Sequence, residues 1–152
     1  DISFAPSVVW NQVYITAQNH PETKFLLCTK NPATYLSLAW RLDNIYYGCT
    51  IETNKNYKVS KAPRVYDRYL ALRKAFHPHK FISIEPIMDF DLMEFSNWIY
   101  DINPEIVEIG ADNYNNNLPE PSSNKILKLI DILTLHGVNV VQKQGLERLL
   151  SV

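Results

Sequence analysis

Charged residues recur at one kind of place in this chain. The stretch "KFISIEPIMDFDL" (80–92) runs apolar through Phe81, Ile82 and Ile84, reaches Glu85 and turns at Pro86. Four other apolar runs end the same way, at Thr29-Lys30, Thr50-Ile51-Glu52, Gly110-Ala111-Asp112 and Gln142-Lys143. Side chains alternate along a strand, so Thr50 shares a face with Glu52 and Ser83 shares one with Glu85. Three carboxylates and two ammonium groups gathered at one sheet edge can hold a polar ligand, whereas each buried alone would be costly. A hydrolytic reading takes Glu52 and Glu85 as an acid–base pair and needs them about 5–9.5 Å apart. A third reading is a non-catalytic module for a protein or nucleic-acid partner, marked by a contiguous basic or apolar patch.

The elements that must carry these endings are legible from periodicity. Helical spacing marks "SVVWNQVYITAQNHP" (7–21), with Ser7 as its cap and Pro21 as its end, and "PATYLSLAWRL" (32–42), with Pro32 at the first helical position. It also marks "VYDRYLALRKAF" (65–76), "FDLMEFSNWIYDI" (90–102), capped by Asp89 or Asp91, and "SNKILKLIDILTLHG" (123–137), closed by Gly137. A short terminal helix is expected in "GLERLLSV" (145–152). Strands are expected in "KFLLCTKNP", "NIYYGCTIET", "KFISIEP", "EIVEIGAD" and "VNVVQK". Alternation of this kind predicts an α/β fold with a parallel sheet, and ligands of such sheets bind beyond the carboxyl ends of the strands. Two long polar loops, 54–64 and 113–122, lie at that edge.

Bulk properties narrow the functions. The 152 residues suffice for a single domain, and 46% hydrophobic with 20% charged residues is a globular composition. A net charge of −1 argues against a large basic footprint for nucleic acid. No run approaches the roughly 20 apolar residues of a membrane span, and no basic-then-apolar leader opens the chain. Cys28 and Cys49 sit in apolar runs and read as buried free thiols in a reducing, cytoplasmic setting. The four glycines form no dinucleotide fingerprint. His77 and His79 lie at the opposite sheet edge with no third ligand nearby, and His20 and His136 lie at helix ends on that same edge, so no Ser/His/Asp set can be placed.

In their order, "FLLCTKNPATYL", "IYYGCTIETN", "KFISIEPIMDFDL", "EIVEIGAD" and "VVQKQGL" resemble the successive strand motifs of the radical SAM-like phage Gp37/Gp68 (DUF5131) family, which is distantly similar to spore photoproduct lyase-type proteins. The resemblance covers nearly the whole chain; "TIETN" and "SIEPIMDFDL" are its most specific blocks. It implies a partial TIM-like (β/α) barrel of about five strands. It also implies S-adenosylmethionine and a [4Fe–4S] cluster as cofactors, the cluster held by a C-x3-C-x2-C run that these residues do not contain. Asp1 and "DISFAP" read as the tail of an earlier strand, so residues 1–152 are expected to be a single partial-barrel domain, the C-terminal portion of a longer chain. On this resemblance, Lys30, Thr50, Glu52, Ser83, Glu85, Asp112 and Lys143 line the barrel mouth. Asn54 and Arg64, with Asn113 on the later loop, close over the ligand. The expected partners are a polar small molecule or a modified macromolecular substrate, and a second copy of the chain through exposed strand edges.

Overall fold

The computed structural model describes residues 2–38 and 41–151. Five strands, β1 (Phe25–Thr29), β2 (Ile45–Thr50), β3 (Lys80–Ile84), β4 (Ile106–Ile109) and β5 (Asn139–Gln142), form one sheet. Every neighbouring pair is parallel and the spatial order is the chain order, β1-β2-β3-β4-β5. Parallel neighbours require crossovers. Helices α2 (Val65–Lys74), α3 (Leu92–Ile102) and α4 (Ser123–Leu135) fill three of them. Helix α1 (Ser7–Asn19) precedes β1, and α5 (Glu147–Leu150) follows β5. Among the described residues no helix is long and apolar enough to cross a membrane.

The helices pack on one face only. Ile45, Tyr47, Cys49, Ile82, Ile84, Val107 and Ile109 point to that face and join one core with Leu72 of α2, Phe95 and Ile99 of α3, and Ile126, Leu129 and Leu133 of α4. This core is why the strands read as apolar at every second position. The other face carries rows of aligned residues: Cys28, Gly48, Phe81, Ile106 and Asn139 form one, and Thr50, Ser83, Glu108 and Val141 the next towards the carboxyl edge. Among the described residues no helix of the core covers this second, open face, and Leu26 and Val141 on it are exposed.

Two sequence expectations need correction. The helix expected over 32–42 is a 3-10 turn over Pro32–Ser37 that ends at Leu38 in extended backbone; the part of the expectation on residues 39 and 40 lies outside the described residues. The cause is Tyr35, fully buried, whose hydroxyl donates to the Leu27 and Gly48 carbonyls at 2.7 and 3.0 Å and ties the segment down onto the sheet. Thr34 and Ser37 hydroxyls also bond the local backbone, which favours a tight turn over a regular helix. The second correction concerns Ser7, which is the first residue of α1. The cap position belongs to Pro6, in extended backbone, with no side-chain cap. Of the two candidates at α3, Asp91 is the cap, its carboxylate accepting from the Glu94 N–H at 3.3 Å.

Candidate functional site at the carboxyl edge

All five charged endings lie at the carboxyl edge of the sheet, but they sort into three separate groups. The first centres on Glu52, which is buried. Its Oε1 meets Lys30 Nζ at 2.5 Å and its Oε2 meets Arg68 Nη1 at 2.8 Å. Arg68 is itself buried, reaching from α2 over the end of β2 to donate to the Thr50 and Pro63 carbonyls as well. Every oxygen of this carboxylate is therefore spoken for by a cation. Arg68 escaped the sequence reading because it sits mid-helix, where an arginine ordinarily marks a solvated face.

The second group lies on the open face. Lys143 Nζ is 2.5 Å from Glu85 Oε2 and 3.8 Å from Glu108 Oε2. Glu85 follows β3 and Lys143 follows β5, two strands apart, so the pair spans β4. Gly110 makes the span possible. A Cβ there would stand 2.7 Å from Glu85 Oε1 and 2.9 Å from its Cγ, so the glutamate lies across the bare backbone. Lys143 keeps its proton to higher pH than an ordinary lysine, chiefly because it donates to Glu85. Two carboxylates around one ammonium leave this group one negative charge in excess. Thr50 and Ser83 stand beside it in register with Glu108, and Cys28 Sγ is 3.6 Å from Thr50 Oγ1. Burial pushes the Cys28 thiol up. Glu108 was missed although its alternation with Val107 and Ile109 places it on the face of Gly110; a rule attending only to strand ends passes over it.

Asp112 joins neither group. Its carboxylate folds back into the asparagine-rich loop, accepting from Tyr114 N at 3.2 Å, Asn116 N at 2.5 Å and Asn116 Nδ2 at 2.7 Å. Burial pushes this carboxyl up, but those hydrogen bonds and the nearby Arg148 charge outweigh it and hold it below the usual carboxylate range. With Asn113, Asn115, Asn117, Glu120 and Arg148 it lines a polar hollow of about 550 Å³. Asn113 Nδ2 donates to the Gln144 carbonyl at 3.0 Å.

The loop residues named with the strand ends are engaged in the scaffold. Asn54 accepts from Asp91 N at 2.9 Å and donates to Glu94 Oε2 at 2.8 Å, clamping the loop after β2 to the start of α3. Arg64 pairs with Asp67 in the first turn of α2. At the far edge, His77 stacks on Tyr47 with ring centroids 3.8 Å apart and donates from Nε2 to the Tyr35 carbonyl, while His79 pairs with Glu105. These two histidines thus serve packing and an ion pair.

The geometry bears on two readings of the sequence. Glu52 and Glu85 are each engaged by cations, Glu52 on both oxygens and Glu85 by Lys143, so neither carboxylate stands free toward a substrate. That argues against an acid–base pair. Cys28 faces the open side of the sheet and Cys49 the core, so the two thiols point apart and do not fit the ligand set of a four-iron cluster. Among the described residues no three His, Cys, Asp or Glu side chains are grouped to hold a metal ion. No family model matches the chain, and no curated protein or solved structure matches it either.

Proposed function

We propose that this chain is a radical SAM-like partial (β/α) barrel, and that its open face binds S-adenosylmethionine or a polar ligand of similar charge at the carboxyl ends of its strands. The observation that carries the reading is the partly exposed set Glu85, Glu108 and Lys143 on a sheet face that no core helix covers among the described residues, with one carboxylate more than its lysine balances. S-adenosylmethionine brings a sulfonium and an ammonium against one carboxylate, a net positive charge that complements the set. Glu85 and Glu108 would accept from its ammonium or ribose hydroxyls, and Lys143 would meet its carboxylate. Glu52, held on both oxygens, would fix Lys30 at the rim. Thr50 and Ser83 add hydroxyls to the same floor. When paired with an iron–sulfur cluster the bound cofactor would supply radical chemistry; Cys28 and Cys49, on opposite faces of the sheet, do not fit such a centre.

Isothermal titration of the chain with S-adenosylmethionine tests the reading. Saturable binding is expected, at least tenfold weaker for S-adenosylhomocysteine, which lacks the sulfonium charge, and at least tenfold weaker for Glu108→Gln. Absence of saturable binding at millimolar ligand, or equal affinity of the variant, would overturn it.

One observation favours a second reading, a module that binds a protein partner or a second copy. Val8, Val9, Val13 and Phe25 line a mostly apolar hollow of about 420 Å³ between α1 and β1, whose outer edge pairs with no other described strand. Sedimentation that is independent of concentration up to about 100 µM would count against self-association there.

A further inference from the structure

The loop between β2 and α2, residues 51–64, has no regular structure of its own, yet it is held at both ends. Thr53 and Tyr57 hydroxyls donate to the Asp89 carbonyl at 2.7 and 3.1 Å, and Lys55 reaches the Asp89 carboxylate at 2.5 Å. At the other end Ser60 Oγ accepts from Ala62 N, and Arg68 Nε donates to the Pro63 carbonyl at 2.6 Å. Between these anchors the loop arches over a cavity of about 240 Å³. That is just below the roughly 300–1,000 Å³ of drug-sized sites, so the cavity suits a fragment-sized ligand.

Its lining is strongly biased in charge. Lys55, Lys58, Arg64 and Arg68 contribute four cations against the single carboxylate of Glu52, in a chain whose net charge is −1. Lys55 and Arg64 are partly neutralised by Asp89 and Asp67, and Arg68 by Glu52. No described carboxylate lies within 4.0 Å of the Lys58 ammonium. The loop holds Lys58 at φ 55°, a left-handed backbone that a lysine seldom adopts, and such positions concentrate at ligand clamps. Helix α2 begins at the cavity wall with no side-chain cap, so its first N–H groups and its dipole favour an anion there as well.

We infer that the cavity under residues 51–64 is an oxyanion site that takes a phosphate group, as free phosphate or as the monoester of a small sugar. A tetrahedral dianion offers three terminal oxygens and two negative charges to two guanidinium groups and an ammonium at once. The site lies on the α2 side of Glu52 and is independent of ligand binding on the open face.

The test is a protein-observed NMR titration of the whole chain with inorganic phosphate at constant ionic strength. Saturable amide shifts are expected in residues 55–66. The double variant Lys58→Asn/Arg64→Gln should raise Kd at least tenfold; asparagine tolerates the left-handed backbone, and unchanged thermal midpoints in phosphate-free buffer would show the fold intact. Lys128→Gln, removing an exposed cation on α4, should leave Kd unchanged. Shifts that fail to saturate, that scatter over all basic residues, or a Kd unmoved by the double variant would overturn the site. Ribose 5-phosphate binding more tightly than inorganic phosphate would identify a monoester ligand; equal or weaker binding would identify the free anion.

Discussion

At the scale of single residues, Glu52 shows what a buried charge at a strand end demands. Its side chain and that of Arg68 are 4% and 5% exposed, so both charges are largely withdrawn from bulk solvent. Without Arg68, Glu52 keeps only Lys30 on Oε1 and loses the cation on Oε2, and breaking a buried pair costs up to about 3–5 kcal/mol. Arg68→Ala is therefore expected to destabilise the chain by about that amount in urea denaturation. Glu52→Gln/Arg68→Met, which removes both charges, should recover a large part of the loss. If the double variant is no more stable than Arg68→Ala, the pair is not the source of the cost. Asp112 makes a prediction about pH. Its native carboxyl titrates below the unfolded value near 3.9. The stability it contributes is thus present above about pH 4 and drains away as pH falls through the native value. Lys143 has the opposite sign: raised by Glu85, it stabilises below its unfolded value near 10.4, and that contribution is lost as pH rises through the native one. Between pH 5 and pH 2 the denaturation midpoint should fall less steeply for Asp112→Asn than for the parent chain; parallel curves would show that Asp112 does not contribute. These residues were visible in the sequence as types at strand ends. Their partners were not, because Arg68 and Asn116 come from a helix and a loop whose approach only the folded backbone decides.

At the scale of elements, two glycines set what the open face can hold. Gly48 lies under Phe81, whose ring atoms would stand 2.0–2.4 Å from an added Cβ. Phe81 is 2% exposed on a face no core helix covers among the described residues, and its ring lies over β2 because Gly48 leaves room. Gly48→Ala should overpack this contact and cost about 1–3 kcal/mol in chemical denaturation. Gly110→Ala meets a flexible glutamate instead of a ring. It should cost less stability, but it should push Glu85 off Lys143 and weaken ligand binding on the open face at least tenfold. Equal stability losses for the two variants would contradict this account of the face. The strands themselves were readable from alternation, and so were α2, α3 and α4. The segment 32–42 was not, since its apolar spacing fits a helix as well as it fits a turn nailed down by Tyr35. Periodicity records which residues are buried; it does not record that a buried hydroxyl must find an acceptor.

At the scale of the whole molecule, the parallel order could be argued from the alternation of elements, but the placement of every core helix on one face could not. That placement follows from the sequential strand order, because crossovers of one hand between successive neighbours all fall on the same side. The consequence is a core without a seam. It runs from Ala17 of α1 through all five strands to Leu146 beside α5, with Trp98 packed on Tyr69 at 4.8 Å in the middle. A contiguous core of this kind leaves no part able to melt without exposing apolar surface on its neighbours, and single domains of this size commonly unfold as one unit. Denaturation followed by tryptophan fluorescence, which reports Trp98 together with Trp10 and Trp40, and by far-UV circular dichroism, which reports helices at both ends, should therefore give superimposable transitions. The weakest point is β5, four residues long, with Asn139, Val141 and Gln142 exposed. If it and α5 form a separate unit, the dichroism will begin to fall at lower denaturant than the fluorescence. Coincident curves would instead mean that Val140 and Leu146, packed on the core, are enough to bind the last strand, and with it Lys143, to the cooperative fold.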